Sequence, residues 1–463
     1  MIVKKKKISE TEMALAICNR YRIMAAEGST NISYYNGKTY VQVNKQELAS
    51  MILSENMRSN LDFLFEDQDD NLHMIRSTKA KEVAEQIFAY ARALEQYRKD
   101  DTDWISFKNG LYNIKTGEFR AHTPEVVTYN PIPHNYNPNA YCAEIDEELN
   151  VLASFDLKKK KLFLEMFGYC LERQPDIGKF FLLHGGHANG KSTLLEMLQG
   201  MLGDKNVTGA DLKDLCDSRF TLAEIRGKLA NLGQDIEASY VGKTGTLKKI
   251  VTGDKIYVEE KGIQGYMYRP YCKLIFSCNV VPAIGKGKDR AAIEDRIVIV
   301  PMTAHFDRNS SNVKVNYGRK LASNEEAMEY LLNLSLKALK DYFARGCIFT
   351  IPAEVKEAQT KYFNDNDSVF AFAQDITVNE IAYDSNIRFD GRKLPMTIND
   401  VMSMYNSFCK LNNIKPLGNK AGEVTKRLCE IFDLKVKEST IQNRKYRYLV
   451  KTYTDFDEND LPF

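Results

Sequence analysis

The spacing of apolar residues divides the chain into segments with different predicted structures. Apolar positions recur every three or four residues over 45–65 and 77–98, which is the period of an amphipathic helix. One face of the second segment carries Val83, Ile87, Ala91 and Leu94. We therefore predict that residues 1–103 form a mainly helical domain.

The pattern changes twice between residues 104 and 177. Short alternating runs occur over 104–134, with turn signals at Asn109-Gly110 and Thr116-Gly117, and such runs are typical of a small β element. Residues 143–174 return to a helical pattern. The segment 104–177 is therefore predicted to be a small β element followed by a helical collar that supports oligomerisation.

The remaining chain is predicted to contain a core, a lid, a C-terminal module and a tail. Apolar strand-like runs alternate with helical segments over 178–305, which indicates an α/β nucleotide-binding core. Helical periodicity over most of 306–375 predicts a lid. The pattern of residues 376–452 predicts two helices followed by a two-stranded ribbon. Residues 453–463 form an acidic tail.

Composition limits the classes of function. Apolar residues make up 44% of the chain and charged residues 27%, as in ordinary globular proteins. No run of eighteen apolar residues occurs, so no membrane partner is predicted. The net charge is only +2, so any nucleic-acid surface must be local. Nine cysteines without metal-ligand spacing predict reduced thiols in a cytoplasmic protein.

A glycine-rich loop is the clearest chemical motif. The stretch FFLLHGGHANGKST at 180–193 contains G-x-x-x-x-G-K-S between an apolar strand and an amphipathic helix. Backbone N–H groups would hold the phosphates of ATP, Lys191 would reach the β- and γ-phosphates, and the Ser192 hydroxyl would ligate Mg²⁺. The predicted nucleotide-binding residues are Gly185, Gly186, His187, Ala188, Asn189, Gly190, Lys191, Ser192 and Thr193.

Two further strands carry polar residues at their ends. The apolar run Leu229–Leu232 leads to Asp235, a predicted Mg²⁺ ligand, and to Glu237, which would polarise the attacking water. The next strand ends at Asn279, just before a proline turn. Asn279 is predicted to sense the γ-phosphate, although a turn-forming asparagine explains the same position.

A β-hairpin is predicted between these two strands. Residues 255–268 alternate in polarity on both sides of Lys261-Gly262, which would form the tip. A lysine there can grip a phosphate backbone, although an ordinary solvated hairpin would look the same. Residues 241–296, which include Lys249, contain eleven Lys/Arg and six Asp/Glu and so supply a local basic surface.

The order of these motifs resembles the superfamily 3 helicases, and more closely the primase-helicases of phages, plasmids and poxviruses. The runs that carry the resemblance are ISFKNGLYNIKTGEF, GKLANLGQDIE, LKKIVTGDKIYVEEKG, KLIFSCNVVP and EDRIVIVPM, and they extend over roughly 104–375. The resemblance implies an AAA+-like P-loop fold. It covers the helicase part of such proteins, and no primase domain is evident in the first hundred residues.

The resemblance also implies an assembly and a mechanism. Such helicases form rings, usually hexamers, that move on single-stranded DNA, typically 3′ to 5′, with ATP between subunits. Arg296 matches the arginine that a neighbouring subunit supplies, and Arg290 is a second candidate because the preceding loop is basic. Lys261 matches the hairpin residue that contacts DNA in the channel, with Gly262 and Lys249 as further DNA-binding candidates.

The C-terminal residues 397–451 resemble a winged helix. Arg444, Lys445 and Arg447 would contact DNA from the wing, and Lys420, Lys426 and Arg427 from the second helix. A structural module with a solvated basic face is the alternative. The final residues, DFDENDLPF, resemble the C-terminal tip of bacterial single-stranded-DNA-binding proteins, which would imply docking to host replication proteins.

These observations lead to one main hypothesis and two alternatives. The main hypothesis is an ATP-driven replicative DNA helicase of a phage or mobile element, acting on single-stranded and forked DNA in the cytoplasm of a bacterial host. One alternative is an origin-binding initiator that uses ATP as an assembly switch with little unwinding. The other is a DNA-packaging motor, which the hairpin disfavours.

Overall fold

The fold consists of two compact units in a computed structural model. The first unit contains Met1–Pro282 and Asp295–Pro352, and the second contains Ala283–Glu294 and Ala353–Phe463. The residues that the structure describes are 9–25, 31–54, 77–93, 100–174, 178–237, 241, 243–260, 263–282, 284, 290–306, 316–384, 387–389, 394–412, 414, 416–417 and 421–452.

The first unit begins with three helices that pack on a small sheet. Its elements are α1 (Glu10–Arg20), β1 (Met24–Ala25), β2 (Ile32–Tyr35), β3 (Tyr40–Val43), α2 (Lys45–Leu53) and α3 (Ser77–Ala93). Capping boxes at Ser9 and Asn44 begin α1 and α2. Ile17, Leu48 and Ile87 are fully buried in the shared core.

The antiparallel sheet β1-β2-β3 is a difference from the mainly helical domain predicted for residues 1–103. Its strands contain only two to four residues, which is too short for an alternating pattern to stand out. The helix predicted over 45–65 ends at Leu53, and residues 55–76 lie outside the described chain.

A second small sheet and two helices follow. The elements are β4 (Trp104–Phe107), β5 (Gly110–Asn113), β6 (Phe119–Arg120), α4 (Ala143–Leu152) and α5 (Leu157–Leu171). The three strands form an antiparallel sheet in the order β4-β5-β6, in the segment where a small β element is predicted.

A five-stranded parallel sheet forms the centre of the first unit. Its strands lie in the order β13-β7-β12-β9-β8, and all four pairings are parallel. The elements of this region are β7 (Phe180–His184), α6 (Lys191–Leu202), β8 (Val207–Thr208), α7 (Leu212–Asp217), β9 (Ala230–Gly233), α8 (Thr244–Thr252), β10 (Ile256–Glu260), β11 (Ile263–Tyr268), β12 (Lys273–Cys278), α9 (Arg290–Glu294, which belongs to the second unit) and β13 (Ile297–Pro301).

The parallel arrangement confirms the predicted α/β core. β9 and β12 are buried along their whole length, and β7 is buried except at His184, which explains their nearly continuous apolar sequences. The hairpin β10-β11 is antiparallel and stands apart from this sheet. Two helices, α10 (Tyr317–Ala322) and α11 (Glu325–Ala344), complete the unit and pack on α6 and α5.

The second unit has its own core. Its elements after α9 are α12 (Ala353–Asn366), α13 (Ser368–Asp375), α14 (Val378–Ile381), β14 (Ala382–Tyr383), α15 (Ile398–Leu411), α16 (Ala421–Phe432), β15 (Leu434–Ile441) and β16 (Arg444–Lys451). The sheet order is β14-β16-β15, and Phe372, Tyr405 and Leu428 are buried against it.

The boundary between the units differs from the predicted lid over 306–375. Residues up to Pro352 cluster with the first unit, and residues from Ala353 cluster with the second. The reason is packing, because Val369 and Phe372 of α13 are buried in the C-terminal core.

No helix in the described part of the chain is long and apolar enough to span a bilayer.

A buried ion pair connects the end of α5 to the segment before β4. Arg173 is 2% exposed, and its Nε and Nη2 donate to the two carboxylate oxygens of Asp100 at 3.0 and 2.9 Å. Nη2 also donates to the carbonyl oxygens of Asp101 and Trp104 at 3.1 and 3.0 Å. One guanidinium therefore satisfies four buried or half-buried acceptor atoms.

Arg173→Leu should destabilise the first unit by about 3–5 kcal/mol, because the Asp100 carboxylate loses its buried partner. Urea unfolding followed by the fluorescence of Trp104, the single tryptophan, measures the change. Lys161→Ala on α5 is the control, since its ion pair with Asp341 is exposed and should contribute at most about 1 kcal/mol. Equal shifts in both variants would contradict the assigned role.

Candidate functional site

The glycine-rich loop joins β7 to α6 at the carboxyl edge of the parallel sheet. Ala188 and Gly190 have left-handed backbone conformations, with φ of 56° and 83°. A Cβ atom at Gly190 would lie 2.1 Å from Cδ2 of Leu152, so only glycine fits. The N–H of Phe306 donates to the Ala188 carbonyl at 2.9 Å and fastens the loop to the chain after β13.

The ammonium group of Lys191 lies inside this loop. Nζ donates to the carbonyl oxygens of Gly185 and Gly186, both at 2.7 Å. It also donates to Oδ1 of Asn189 at 3.1 Å and Oδ1 of Asn279 at 3.2 Å. The structure thus brings two predicted site residues, Lys191 and Asn279, into direct contact across neighbouring strands.

The charge of Lys191 is balanced by a group at another strand end. Burial lowers the pKa of Lys191, whereas the nearby carboxylate of Asp235 and the thiol of Cys278 oppose this change. Burial raises the pKa of Cys278 to about 12, so the thiol is neutral at physiological pH. Asp235 is therefore the neighbouring group that carries the compensating negative charge.

Asn189 braces the loop. It is 6% exposed, its Nδ2 donates to the Met302 carbonyl at 2.8 Å, and its Oδ1 accepts from Lys191. A Cβ atom at Gly185 would lie 2.1 Å from Nδ2 of Asn189, so the side chain also requires a glycine opposite it. The sequence predicted Asn189 and His187 only as members of the nucleotide-binding loop, and His187 is exposed.

Asp235 is held in place by β12. It has φ of 49°, a conformation that aspartate tolerates better than most residues. Its N–H donates to Oγ of Ser277 at 3.0 Å, and the N–H of Ile236 donates to the Ser277 carbonyl at 2.9 Å. The sequence did not identify Ser277 as a residue of the site. Its one distinguishing feature is a hydroxyl within an otherwise apolar buried strand. Glu237 lies two residues further on and is exposed.

The donor set at this edge is suited to an anion with a divalent cation. Ser192 is exposed in the first turn of α6, and Thr193 beside it is half-buried. The N-terminus of α6 and the ammonium of Lys191 favour phosphate groups. The Ser192 hydroxyl and the Asp235 carboxylate are hard oxygen ligands of the kind that Mg²⁺ prefers.

Arg296 lies at the other end of the sheet. Its carbonyl accepts from the N–H of Phe180, the first residue of β7, at 2.8 Å. β7 has five residues, so the backbone of Arg296 is about 16 Å from the loop at roughly 3.3 Å per residue. The structure does not bring Arg296 to the loop of its own chain. The side chain of Arg290, in α9, lies outside the described part of the structure.

The hairpin strands pair as predicted, from Ile256 opposite Tyr268 to Glu260 opposite Ile263. Lys261 and Gly262, the predicted DNA-binding residues between them, lie outside the described residues. Lys249 is exposed in the last turn of α8.

The predicted wing residues lie on β16 in the second unit. Arg444, Lys445 and Arg447 are exposed, and Lys445 forms an ion pair with Glu438 on β15 at 3.2 Å. Both strands have eight residues and pair along their whole length, so they form a regular ribbon after α16. The acidic tail over 453–463 lies outside the described residues.

Arg427 is a correction to the predicted DNA-binding set. Its Nη2 donates to Asp367 at 2.8 Å and its Nη1 to Glu430 at 3.1 Å, with a side chain that is only 18% exposed. Arg427 therefore connects α16 to the start of α13 as a structural ion pair. Lys426 beside it is exposed, and Lys420 lies outside the described residues.

Comparisons with known proteins match separate parts of the chain. A family described as "D5 N terminal like" matches residues 14–152. A family of unknown function, DUF5906, matches residues 183–295, which include the loop, Asp235 and Asn279. Each match covers less than half of the chain.

Two viral proteins are similar in sequence. "Putative helicase L207/L206" of Acanthamoeba polyphaga mimivirus is 26% identical over 226 residues, which are 45% of this chain and 23% of that protein. "Putative helicase 184R" of Invertebrate iridescent virus 6 is 24% identical over 315 residues, which are 58% of this chain and 31% of that protein. The matched part thus spans about a quarter to a third of these relatives.

One solved structure supports the fold along nearly the whole chain. The apo structure of the NrS-1 C-terminal region aligns with 97% of this chain and 100% of its own, at a TM-score of 0.50 and 12% identity. At this identity the similarity concerns the fold alone.

Asn189→Ala should weaken binding of a fluorescent ADP analogue roughly 5- to 150-fold, the equivalent of about 1–3 kcal/mol for an unsatisfied buried acceptor at Met302. Fluorescence titration measures the dissociation constant. Asn139→Ala, at an exposed asparagine outside the loop, is the matched control and should bind like the unmodified chain. Unchanged binding by Asn189→Ala would remove the bracing role.

Proposed function

We propose that this chain is an ATP-driven replicative DNA helicase of superfamily 3 from a phage or another mobile element. The observation that carries the proposal is the convergence of Lys191, Asn279 and Asp235 at one loop on the carboxyl edge of a parallel sheet. The helicase names of the two viral relatives support the same class.

In this proposal the loop is a P-loop that binds ATP with Mg²⁺. Backbone N–H groups of residues 186–190 and the ammonium of Lys191 hold the phosphates, and Lys191 exchanges its present carbonyl partners for phosphate oxygens. Ser192 and Asp235 would ligate Mg²⁺, which would neutralise phosphate charge when bound. Glu237 would polarise the attacking water, and Asn279 would sense the γ-phosphate by a hydrogen bond.

Arg296 requires a second copy of the chain in this mechanism. The sheet separates it from its own loop, whereas a head-to-tail neighbour can place the arginine of one copy at the loop of the next. Such contacts close into a ring, for which a hexamer is proposed. Arg290 remains the alternative donor, because it precedes Arg296 in the same basic stretch.

DNA contacts are assigned to two surfaces. Lys261, Gly262 and Lys249 would face single-stranded DNA in the channel of the ring, with movement 3′ to 5′. The helices α15 and α16 and the ribbon β15-β16 would act as a winged helix. The tail 453–463 would dock host replication proteins in the bacterial cytoplasm.

An origin-binding initiator is the second candidate. The exposed Arg444 and Arg447 of the ribbon favour it, because a basic wing suits binding to duplex DNA. In that case ATP would control assembly and little unwinding would occur.

Lys191→Ala should reduce ATP hydrolysis at least about 100-fold, because the phosphates lose their only ammonium partner in the loop. Strand displacement on forked DNA should stop with it. Lys213→Ala, at an exposed lysine on α7, is the control for lost charge. Retained turnover in Lys191→Ala would refute the nucleotide site, and an unmodified chain that hydrolyses ATP without displacing strands would favour the initiator.

Arg296→Ala and Lys191→Ala should each be inactive alone and should regain ATPase activity when mixed. In a mixed ring, a loop from the first variant meets an arginine from the second, so roughly a quarter of randomly formed sites are complete. ATPase assays at several mixing ratios measure the recovery. An inactive mixture would contradict an arginine supplied in trans, and an active Arg296→Ala chain would transfer the role to Arg290.

A further inference from the structure

A large cleft opens in the first unit at a site separate from the glycine-rich loop. Its volume is about 1500 Å³. Its walls include the β2–β3 hairpin, the segments 100–108 and 129–133, residues 173–174 after α5, the region after α6 at 203–206 together with 223–227, and the base of the hairpin β10-β11 at 255 and 267–271. Pockets for small ligands are usually about 300–1000 Å³, so this cleft is large enough for an extended ligand.

The walls of the cleft are strongly basic. Seven of the lining residues are Lys or Arg and two are Asp, an excess of five positive charges in a chain whose net charge is +2. Arg173 and Asp100 neutralise each other in the buried ion pair. The remaining basic residues come from separate segments of the lining and are Lys38, Lys108, Lys205, Arg226, Lys255 and Arg269.

Several of these positive charges are available to a ligand. Lys38, Lys205 and Arg269 are exposed and come from three different walls. Lys108 is partly compensated, because it contacts Glu325 at 2.7 Å. Such a distribution favours a polyanion that passes between the walls over a small ligand bound to one of them.

Aromatic rings line the same cleft. Tyr129, Tyr268 and Tyr271 are half-buried there. The Tyr268 hydroxyl accepts from the N–H of Gly227 at 3.0 Å, and the Tyr271 hydroxyl donates to Oδ1 of Asn130 at 2.8 Å. With these hydroxyls engaged, the residues offer a ligand chiefly their rings, which are surfaces on which bases stack.

Hydrogen bonds hold the walls at a defined separation. Asn130 is buried, and its Nδ2 donates to Oδ1 of Asn206 at 3.0 Å and to the Gly227 carbonyl at 2.8 Å. Arg226 donates to Oε1 of Gln42 at 3.1 Å and so joins the core to the N-terminal sheet. The cleft is therefore formed before any ligand arrives, which lowers the entropic cost of binding.

We infer that this cleft binds single-stranded DNA, and that it does so in addition to the hairpin tip and the wing. Basic walls follow the backbone and aromatic rings accept unstacked bases, which duplex DNA does not offer. The base of the hairpin forms one wall, so a strand in the cleft continues toward the hairpin. This inference rests on the proposed function for the identity of the polymer as DNA.

The triple variant Lys38→Gln/Lys205→Gln/Arg269→Gln tests the cleft. Fluorescence anisotropy with a labelled dT20 oligonucleotide, without nucleotide, gives the affinity at several salt concentrations. Each lost phosphate contact lowers the slope of log K against log salt by about 0.7 for single strands, so we expect a decrease of about 2 and at least about tenfold weaker binding at low salt.

A matched variant separates the cleft from net charge. Lys161→Gln/Lys337→Gln/Lys340→Gln removes the half-buried Lys161 of α5 and the exposed Lys337 and Lys340 of α11, all outside the cleft, and it should keep the slope of the unmodified chain. Thermal unfolding of both variants checks the fold. An unchanged slope in the cleft variant, or a loss seen only with duplex DNA, would overturn the inference.

Photocrosslinking locates the strand directly. An oligonucleotide with 5-iodouracil should crosslink to Tyr129, Tyr268 or Tyr271, as identified by mass spectrometry. Crosslinks that lie only elsewhere would overturn the cleft assignment. An unmodified chain that does not bind dT20 at all would instead refute the proposed DNA function, so the two failures are distinguishable.

Discussion

The parallel pairing of β7 with β12 and β13 is the constraint on which the site depends. Because all strands run in one direction, the loop after β7, Asp235 after β9 and Asn279 after β12 reach the same edge. The same pairing places Arg296 at the opposite edge, beside the start of β7. One backbone arrangement therefore gathers Lys191, Asp235 and Asn279 at one edge of the sheet and keeps Arg296 of the same chain away from it.

Buried hydrogen bonds hold the side chains of the site in place at the edge of the sheet. Lys191 donates to three oxygen atoms of the loop and to Oδ1 of Asn279 after β12, so the ammonium occupies a defined position. Asn189 connects that loop to the end of β13, and Ser277 fixes the backbone at Asp235. Leaving any of these buried groups without a hydrogen-bond partner would cost free energy through desolvation. Folding therefore favours the one arrangement in which all of them are paired.

Charge is distributed locally in this chain. The net charge of +2 conceals a cleft with five excess positive charges and a ribbon with exposed Arg444 and Arg447. Basic residues that look equivalent in sequence also have different roles, since Arg427 and Arg173 form buried or half-buried ion pairs. Surfaces for a polyanion are therefore defined by which cations remain exposed after folding.

The sequence by itself determined the features that depend on neighbours along the chain. Local patterns predict the loop 185–192, the apolar strands and the alternating strands of the hairpin. The structure contains each of these elements in the residues that it describes. The N-terminal sheet escaped prediction because its strands have two to four residues. Other features join residues that are far apart in the sequence. They are the hydrogen bond of Asn189 to Met302, the support of Asp235 by Ser277 and the walls of the cleft. Only the tertiary structure decided these features, because hydrogen bonding and burial between distant segments leave no periodic signal in the sequence.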